Sequence, residues 1–259
     1  MGSPRTIHTQ AGGSPRGGSA SRDPLRRVPG QGHPPAFLPS EVQRLVALLL
    51  KPSDRPCEEM VAELAGAGVP FESLVVDLLA PATREIGHAW TEDRVSFFEA
   101  GIAYGRVQQI LRRLSQADEP ADVLIPPRGR LLLTVAEGES HTLGLLALAE
   151  ILLRQHWDVV LGRPILEATP ATLVSSEAYD AVLFSAAQTR SEASLKREIA
   201  EVRRRSSNRT IRILLGGQLG KLEPQAWQRI GADAIGDEAI GVSELLAGLL
   251  PSASADHGG

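Results

Sequence analysis

The amino-acid sequence predicts a parallel, doubly wound α/β domain of flavodoxin or Rossmann type with five strands, preceded by a four-helix bundle. Three observations predict it. Short buried runs at residues 131–136, 158–161, 181–185, 211–215 and 234–235 each have a helical stretch behind them, the alternation of a parallel sheet covered on both faces. Residues 40–115 instead repeat apolar side chains every three or four positions, the period of helices packed on one another. Between the two, 116–129 is rich in acidic residues and prolines and has no period, as a linker does.

Residues 1–36 are rich in Gly, Ser, Pro and Arg and carry almost nothing apolar. Burial cannot offset the entropy of ordering them, so a disordered tail is expected. Arg5, Arg16, Arg22, Arg26 and Arg27 against Asp23 make that tail basic. The first helix is expected from Ser40 as N-cap, with Val42, Leu45, Val46, Leu49 and Leu50 on its buried face and Pro52 and Pro56 ending it. A second helix is expected over 57–65, stopped by Gly66 and Gly68. A third follows Pro70 with Leu74, Val75, Leu78 and Ile86 on one face and a bend at Pro81; a fourth spans 95–114. The bundle thus covers 40–115, the linker 116–129 and the α/β domain 130–250, whose first helix is expected over 142–154. A second short tail, 251–259, closes the chain.

Composition removes several classes of function. The 27 Lys and Arg against 31 Asp and Glu create no field that would draw the whole molecule onto nucleic acid. Cys57 is the only cysteine, which excludes an internal disulfide and a thiolate metal cluster and fits a reducing compartment. Apolar runs such as 45–50 fall far below the roughly 20 residues of a membrane helix, and the N-terminus has no signal-like apolar core. A cytoplasmic protein without membrane contact is expected. There is no Walker-type phosphate loop, nucleophile–histidine–acid arrangement or basic helix-turn-helix, so no catalytic site, and no enzyme, is expected.

In a doubly wound sheet ligands bind at the carboxyl ends of the strands, which directs attention to 137–144, 185–189 and 216–219. In the first of these, Glu139-Ser140-His141-Thr142-Leu143-Gly144 leaves a strand and opens a helix. A carboxylate two residues before a histidine can accept a hydrogen bond from one ring nitrogen and aim the other at a metal. Taken alone, a loop histidine is more often a surface residue. Ser185-Ala186-Ala187 and Gly216-Gly217 end the third and fourth strands, and each alone is ordinary. Taken alone, Trp90, Phe97 and Phe98 read as bundle core. Arg203, Arg204, Arg205, Arg209 and Arg212 read first as a solvated helix end, with contact to an acidic partner or to phosphates as the alternative.

Residues 139–144 resemble the Asp-x-His-x-x-Gly signature of cobalamin-binding domains, with Glu139 in place of the Asp. The resemblance implies His141 as lower cobalt ligand, Glu139 as its partner and Gly144 as the residue that lets the loop and helix admit the nucleotide tail. Ser185 resembles the family's serine beside the buried dimethylbenzimidazole, although the leucine two residues on is missing, and Gly216-Gly217 resembles its paired glycines. The stretch from Pro81 to Trp90, followed by Val95-Ser96, is similar to the helical cap of methionine synthase and of light-sensing regulators, which implies that Trp90 with Phe97 or Phe98 covers the corrin. Those regulators place a Glu-His pair ten and eleven residues after the tryptophan, where this chain has Ala100 and Gly101. An upper histidine ligand is therefore not expected, and a hydroxo- or aquocobalamin is expected rather than the adenosyl form. The stretch from Val95 to Gln108, the His141 loop and the arginines at 203–209 resemble the AerR and PpaA antirepressors of purple photosynthetic bacteria. That likeness implies a light- or redox-responsive photoreceptor that antagonises a CrtJ or PpsR-type repressor of photosynthesis genes, with any DNA contact indirect or local, through Arg203–Arg205. A corrinoid methyl carrier and a haem-binding sensor using the same His141 are the competing readings.

Overall fold

The computed structural model describes residues 36–117, 126–137, 139, 142–163, 165–186, 192–217, 224–236, 239 and 241–250; the expected tails lie outside them, apart from Ala36. The bundle begins at Phe37, which is buried in its core. Helix α1 (Pro39–Leu49) is capped by Leu38 and not by Ser40. Pro39 supplies helical φ at the first position, and the Leu38 N–H donates to the Glu41 carboxylate at 2.7 Å. Pro56 opens α2 (Arg55–Gly66) instead of closing α1, for the same reason.

The third helix is one continuous run, α3 (Phe71–Ser73), a π-helical segment (Leu74–Leu79) and α4 (Ala80–Thr91). A proline inside an α-helix has no N–H to donate and crowds the carbonyl four residues back. Here the turns just ahead of Pro81 are widened, with the Ala80 N–H bonded to the Val75 carbonyl, so the chain passes Pro81 without breaking. Helix α5 (Phe97–Ala117) starts from a reciprocal cap: the Ser96 N–H donates to Glu99 at 2.9 Å and the Glu99 N–H to the Ser96 hydroxyl at 3.2 Å. Leu45, Leu49, Leu78, Ile86 and Ala103 are fully enclosed between these helices. Arg106 of α5 donates to the carbonyls of Leu49, Lys51 and Pro52, satisfying groups that the end of α1 leaves open.

The α/β half runs β1 (Arg130–Val135), α6 (Leu143–Arg154), β2 (Asp158–Leu161), α7 (Pro170–Ser176), β3 (Ala181–Ala186), α8 (Glu192–Arg205), β4 (Arg212–Gly217), α9 (Pro224–Ile230), β5 (Ala234–Ile235) and α10 (Val242–Leu249). Among the described residues the five strands form one parallel sheet in the order β2-β1-β3-β4-β5. The core on one face joins the sheet to α6 and α10, and that on the other joins it to α7, α8 and α9. Helix α6 is apolar nearly all round, as a helix buried on two sides must be. Leu145, Ala149 and Leu152 meet the sheet, while Ile151, Leu143, Leu146 and Ala147 pack into the bundle core. No described helix is long and apolar enough to cross a membrane.

Candidate functional site

The strand order reverses between β1 and β3, so their carboxyl ends form the crevice in which doubly wound sheets bind ligands. The β1–β3 pairing extends one residue past β1, with the Ala136 N–H on the Ser185 carbonyl at 2.9 Å, and the loop then turns through a bond from the Glu139 N–H to the Ala136 carbonyl at 3.0 Å. Six residues beyond Ala136, Thr142 stands at the N-cap of α6. The loop expected to carry the ligand therefore leaves the sheet at the switch point. His141 itself lies outside the described residues, as do Ser140 and Ala187; Glu139 before it is half-buried.

The other expected residues converge on the same edge. Ser185 lies opposite Gly216 and Ala186 opposite Gly217 across β3 and β4. Gly217 has a φ of 77°, and a Cβ there would stand 2.8 Å from the Ala186 carbonyl and 3.2 Å from the Ser185 hydroxyl oxygen, so only glycine fits. Gly144, in the first turn of α6, has nothing within 4 Å of a Cβ position; it faces open space. His156, the other histidine near α6, is exposed at the opposite end of that helix, where its carbonyl accepts from Arg128 ahead of β1.

On the bundle, Trp90 is 44% exposed, Phe97 and Phe98 are each 76% exposed and Ile102 is 42% exposed. The Trp90 and Phe97 rings lie 5.9 Å apart in a tilted pair. None of the three aromatic residues is core, so the bundle-core reading does not hold for them. Ala100 is buried, and Gly101 is exposed with nothing near its Cβ position. Glu99, the neighbouring acid, is engaged with Ser96, whose hydrogen bonds hold its carboxyl below the ordinary range.

A cavity of about 360 Å³ lies where the bundle meets the loop, lined by Thr83 and Arg84 of α4, Tyr104 and Gln108 of α5, and Thr142 to Gly144 at the start of α6. Burial pushes the Tyr104 hydroxyl upward in pKa. Behind the loop, on the opposite face of the sheet, Glu198 of α8 pairs with Arg163 after β2 and accepts the Glu137 N–H at 3.4 Å. Burial pushes the Glu198 carboxyl upward, against the pull of Arg163. This support of the loop has no local signature in the sequence, because its members are brought together only by the sheet.

The arginine run does not act as one basic patch. Arg203 turns inward, donating to the carbonyls of Ile211 and Gly231 at 3.1 and 3.0 Å and pairing with Asp233 at 2.6 Å. Arg204 and Arg205 pair with Glu201 at 2.6 and 3.1 Å. The run precedes β4 and so lies at the amino edge of the sheet, away from the loop.

An apolar aromatic face, glycine-lined strand ends and a loop at the switch point fit a large planar cofactor with a long tail. Comparison with known proteins agrees in kind. Residues 129–246 match the model of the family described as the B12 binding domain. The "Uncharacterized 20.5 kDa protein in bchF-crtJ intergenic region" of Rhodobacter capsulatus is 28% identical over 185 residues, which are 71% of this chain and 95% of that protein. Among solved structures, the monomethylamine corrinoid protein of Methanosarcina barkeri superposes with a TM-score of 0.63 at 16% identity, covering 80% of this chain and 97% of that one. The fold likeness thus reaches beyond the α/β half into the bundle.

Proposed function

Because residues 129–246 match the model of the B12 binding domain family, we propose that this chain holds cobalamin through His141 and reports the cofactor's state to a transcriptional repressor of CrtJ or PpsR type, without catalysis of its own. His141 is the lower cobalt ligand in this reading, and Glu139 orients its imidazole. Gly144, Ser185, Gly216 and Gly217 make room for the nucleotide tail, while Trp90, Phe97 and Phe98 cover the upper face. Cobalamin, expected in the hydroxo or aquo form, would supply when bound a cobalt centre able to change redox state or ligand.

The observation that carries the reading is the set of solvent-facing apolar side chains Trp90, Phe97, Phe98 and Ile102, on the helix pair that meets the start of α6. Apolar clusters of this kind on a folded surface mark a binding face. The regulatory half rests on the Rhodobacter relative encoded beside crtJ. The corrinoid-protein fold favours a methyl carrier as the second reading.

A ligand regulates only if it favours one of two states that the partner distinguishes. The test is binding of purified repressor to apo, dark and illuminated protein, for wild type and His141→Ala. Wild type is expected to take up hydroxocobalamin with its own base displaced and to change repressor affinity on illumination; His141→Ala is expected to lose both. Equal affinity in all states overturns the regulator, and rapid methylation of the bound cobalt by a corrinoid methyltransferase establishes the carrier. A haem spectrum from protein loaded with both cofactors would replace cobalamin with haem.

A further inference from the structure

We infer that the cavity between α4, α5 and the start of α6 seats an amide-bearing edge of the cofactor ring, and that Tyr104 and Gln108 select a corrinoid over haem there. The inference rests on the cofactor reading above and adds to it the residues that choose the ring. The cavity is mostly apolar, but Arg84, Tyr104, Gln108 and Thr142 line it from three helices. Among the described residues none of these four side chains has a hydrogen-bond or ionic partner. Tyr104 and Gln108 are half-buried, so their donors and acceptors stay available to a molecule in the cavity. Gly87 of α4 keeps the space above Tyr104 clear, since a Cβ there would stand 3.1 Å from the phenolic oxygen.

Apolar walls with a few polar groups describe a ligand pocket, and its place beside Thr142 and Gly144 puts that ligand next to the cofactor loop. The polar groups then state the chemistry. Gln108 offers one acceptor and two donors, and Tyr104 one donor and an acceptor; together they match a primary amide, which both gives and takes hydrogen bonds. A corrin carries such amides round its rim. Haem presents two carboxylates, which at neutral pH only accept; either could take a hydrogen bond from the Gln108 NH2 or the Tyr104 hydroxyl but would leave the Gln108 carbonyl without a donor, whereas an amide satisfies both ends of Gln108. Arg84 and Thr142 can donate to amide or carboxylate alike, so they strengthen binding without choosing.

The experiment titrates full-length apo protein with hydroxocobalamin, with cobalamins in which one peripheral amide is hydrolysed to a carboxylate, and with haem. The variants are Tyr104→Phe, Gln108→Leu and Gln108→Glu. Loss of the hydrogen bonds in Tyr104→Phe/Gln108→Leu should weaken hydroxocobalamin about tenfold, with the cobalt-ligand spectrum unchanged and haem affinity undiminished. Gln108→Glu, nearly isosteric, should bind hydroxocobalamin but reject the hydrolysed cobalamins more strongly than wild type does. Unchanged hydroxocobalamin affinity in the double variant, or equal weakening of cobalamin and haem, overturns the inference. If the double variant unfolds, the Gln108→Glu preference decides alone. Wild type that binds haem but no cobalamin overturns the cofactor reading, and the inference with it.

Discussion

Two glycines on the candidate site show how one residue type serves opposite needs. Gly217 is required by the fold itself: its φ is positive and its missing Cβ leaves space for the Ala186 carbonyl. Gly217→Ala is expected to cost about 1–2 kcal/mol or more from backbone strain and the clash, read as a lowered urea midpoint of the apo protein. Gly144 sits in a helical turn with open space around it, so Gly144→Ala should leave the apo protein as stable or slightly more so. If the space serves the cofactor, the same variant weakens cobalamin. A Gly144→Ala protein that binds cobalamin like wild type would remove Gly144 from the site. The glycine pair at 216–217 was legible in the sequence as a strand end, but the reason for Gly217 lies in a neighbouring strand some thirty residues away.

At the level of elements, α5 is set by a cap whose strength depends on pH. Hydrogen bonds from the Ser96 hydroxyl and N–H lower the Glu99 carboxyl from its ordinary value. A carboxyl lowered in the folded state stabilises fully above its unfolded pKa, and the contribution is lost as pH falls through the lowered value. Ser96→Ala should therefore return the Glu99 carboxyl toward the ordinary range in an NMR titration and start the loss of α5 helicity at a higher pH. An unmoved titration would show that the cap does not form in solution. Ser96-x-x-Glu99 could have been read as a cap from sequence alone, and it also explains why Glu99 is not free to serve as an upper ligand. Helix α1 was legible from its apolar period, whereas its closure by Arg106, at the carbonyl of Leu49, depends on how two helices meet. The two-sided role of α6 was partly legible, since a helix with so many leucines needs cover on more than one side.

At the level of the whole molecule, the bundle begins at Phe37. Deleting residues 1–35 should leave the melting temperature and cobalamin affinity unchanged, because they offer a core almost no apolar surface. Phe37→Ala, two residues further on, should cost about 3 kcal/mol, since the ring is 6% exposed within the core. A deletion that lowered the melting temperature as far as Phe37→Ala does would place part of the tail in the fold. The change from helices to strands was legible in the sequence because the hydrophobic period itself changes there. The π-helical segment between Leu74 and Leu79 was not legible, since nothing local distinguishes it from an α-helix, and it has a consequence for the relation between the two halves. A widened turn holds one more residue than an α-helical turn, and each residue advances an α-helix by about 100°. Everything beyond that segment is thereby rotated in phase relative to everything before it. Even so, Ala82, Ile86 and Ala89 beyond the segment lie in the same bundle core as Leu74 and Leu78 within it, and Val75, Leu79 and Thr83 line one cavity across it. The helix acts as a screw with a changed thread: the widened turn takes up the drift that a four-residue spacing accumulates in an α-helix, so one row of side chains stays on the core and another along the cavity for the whole length of the rod.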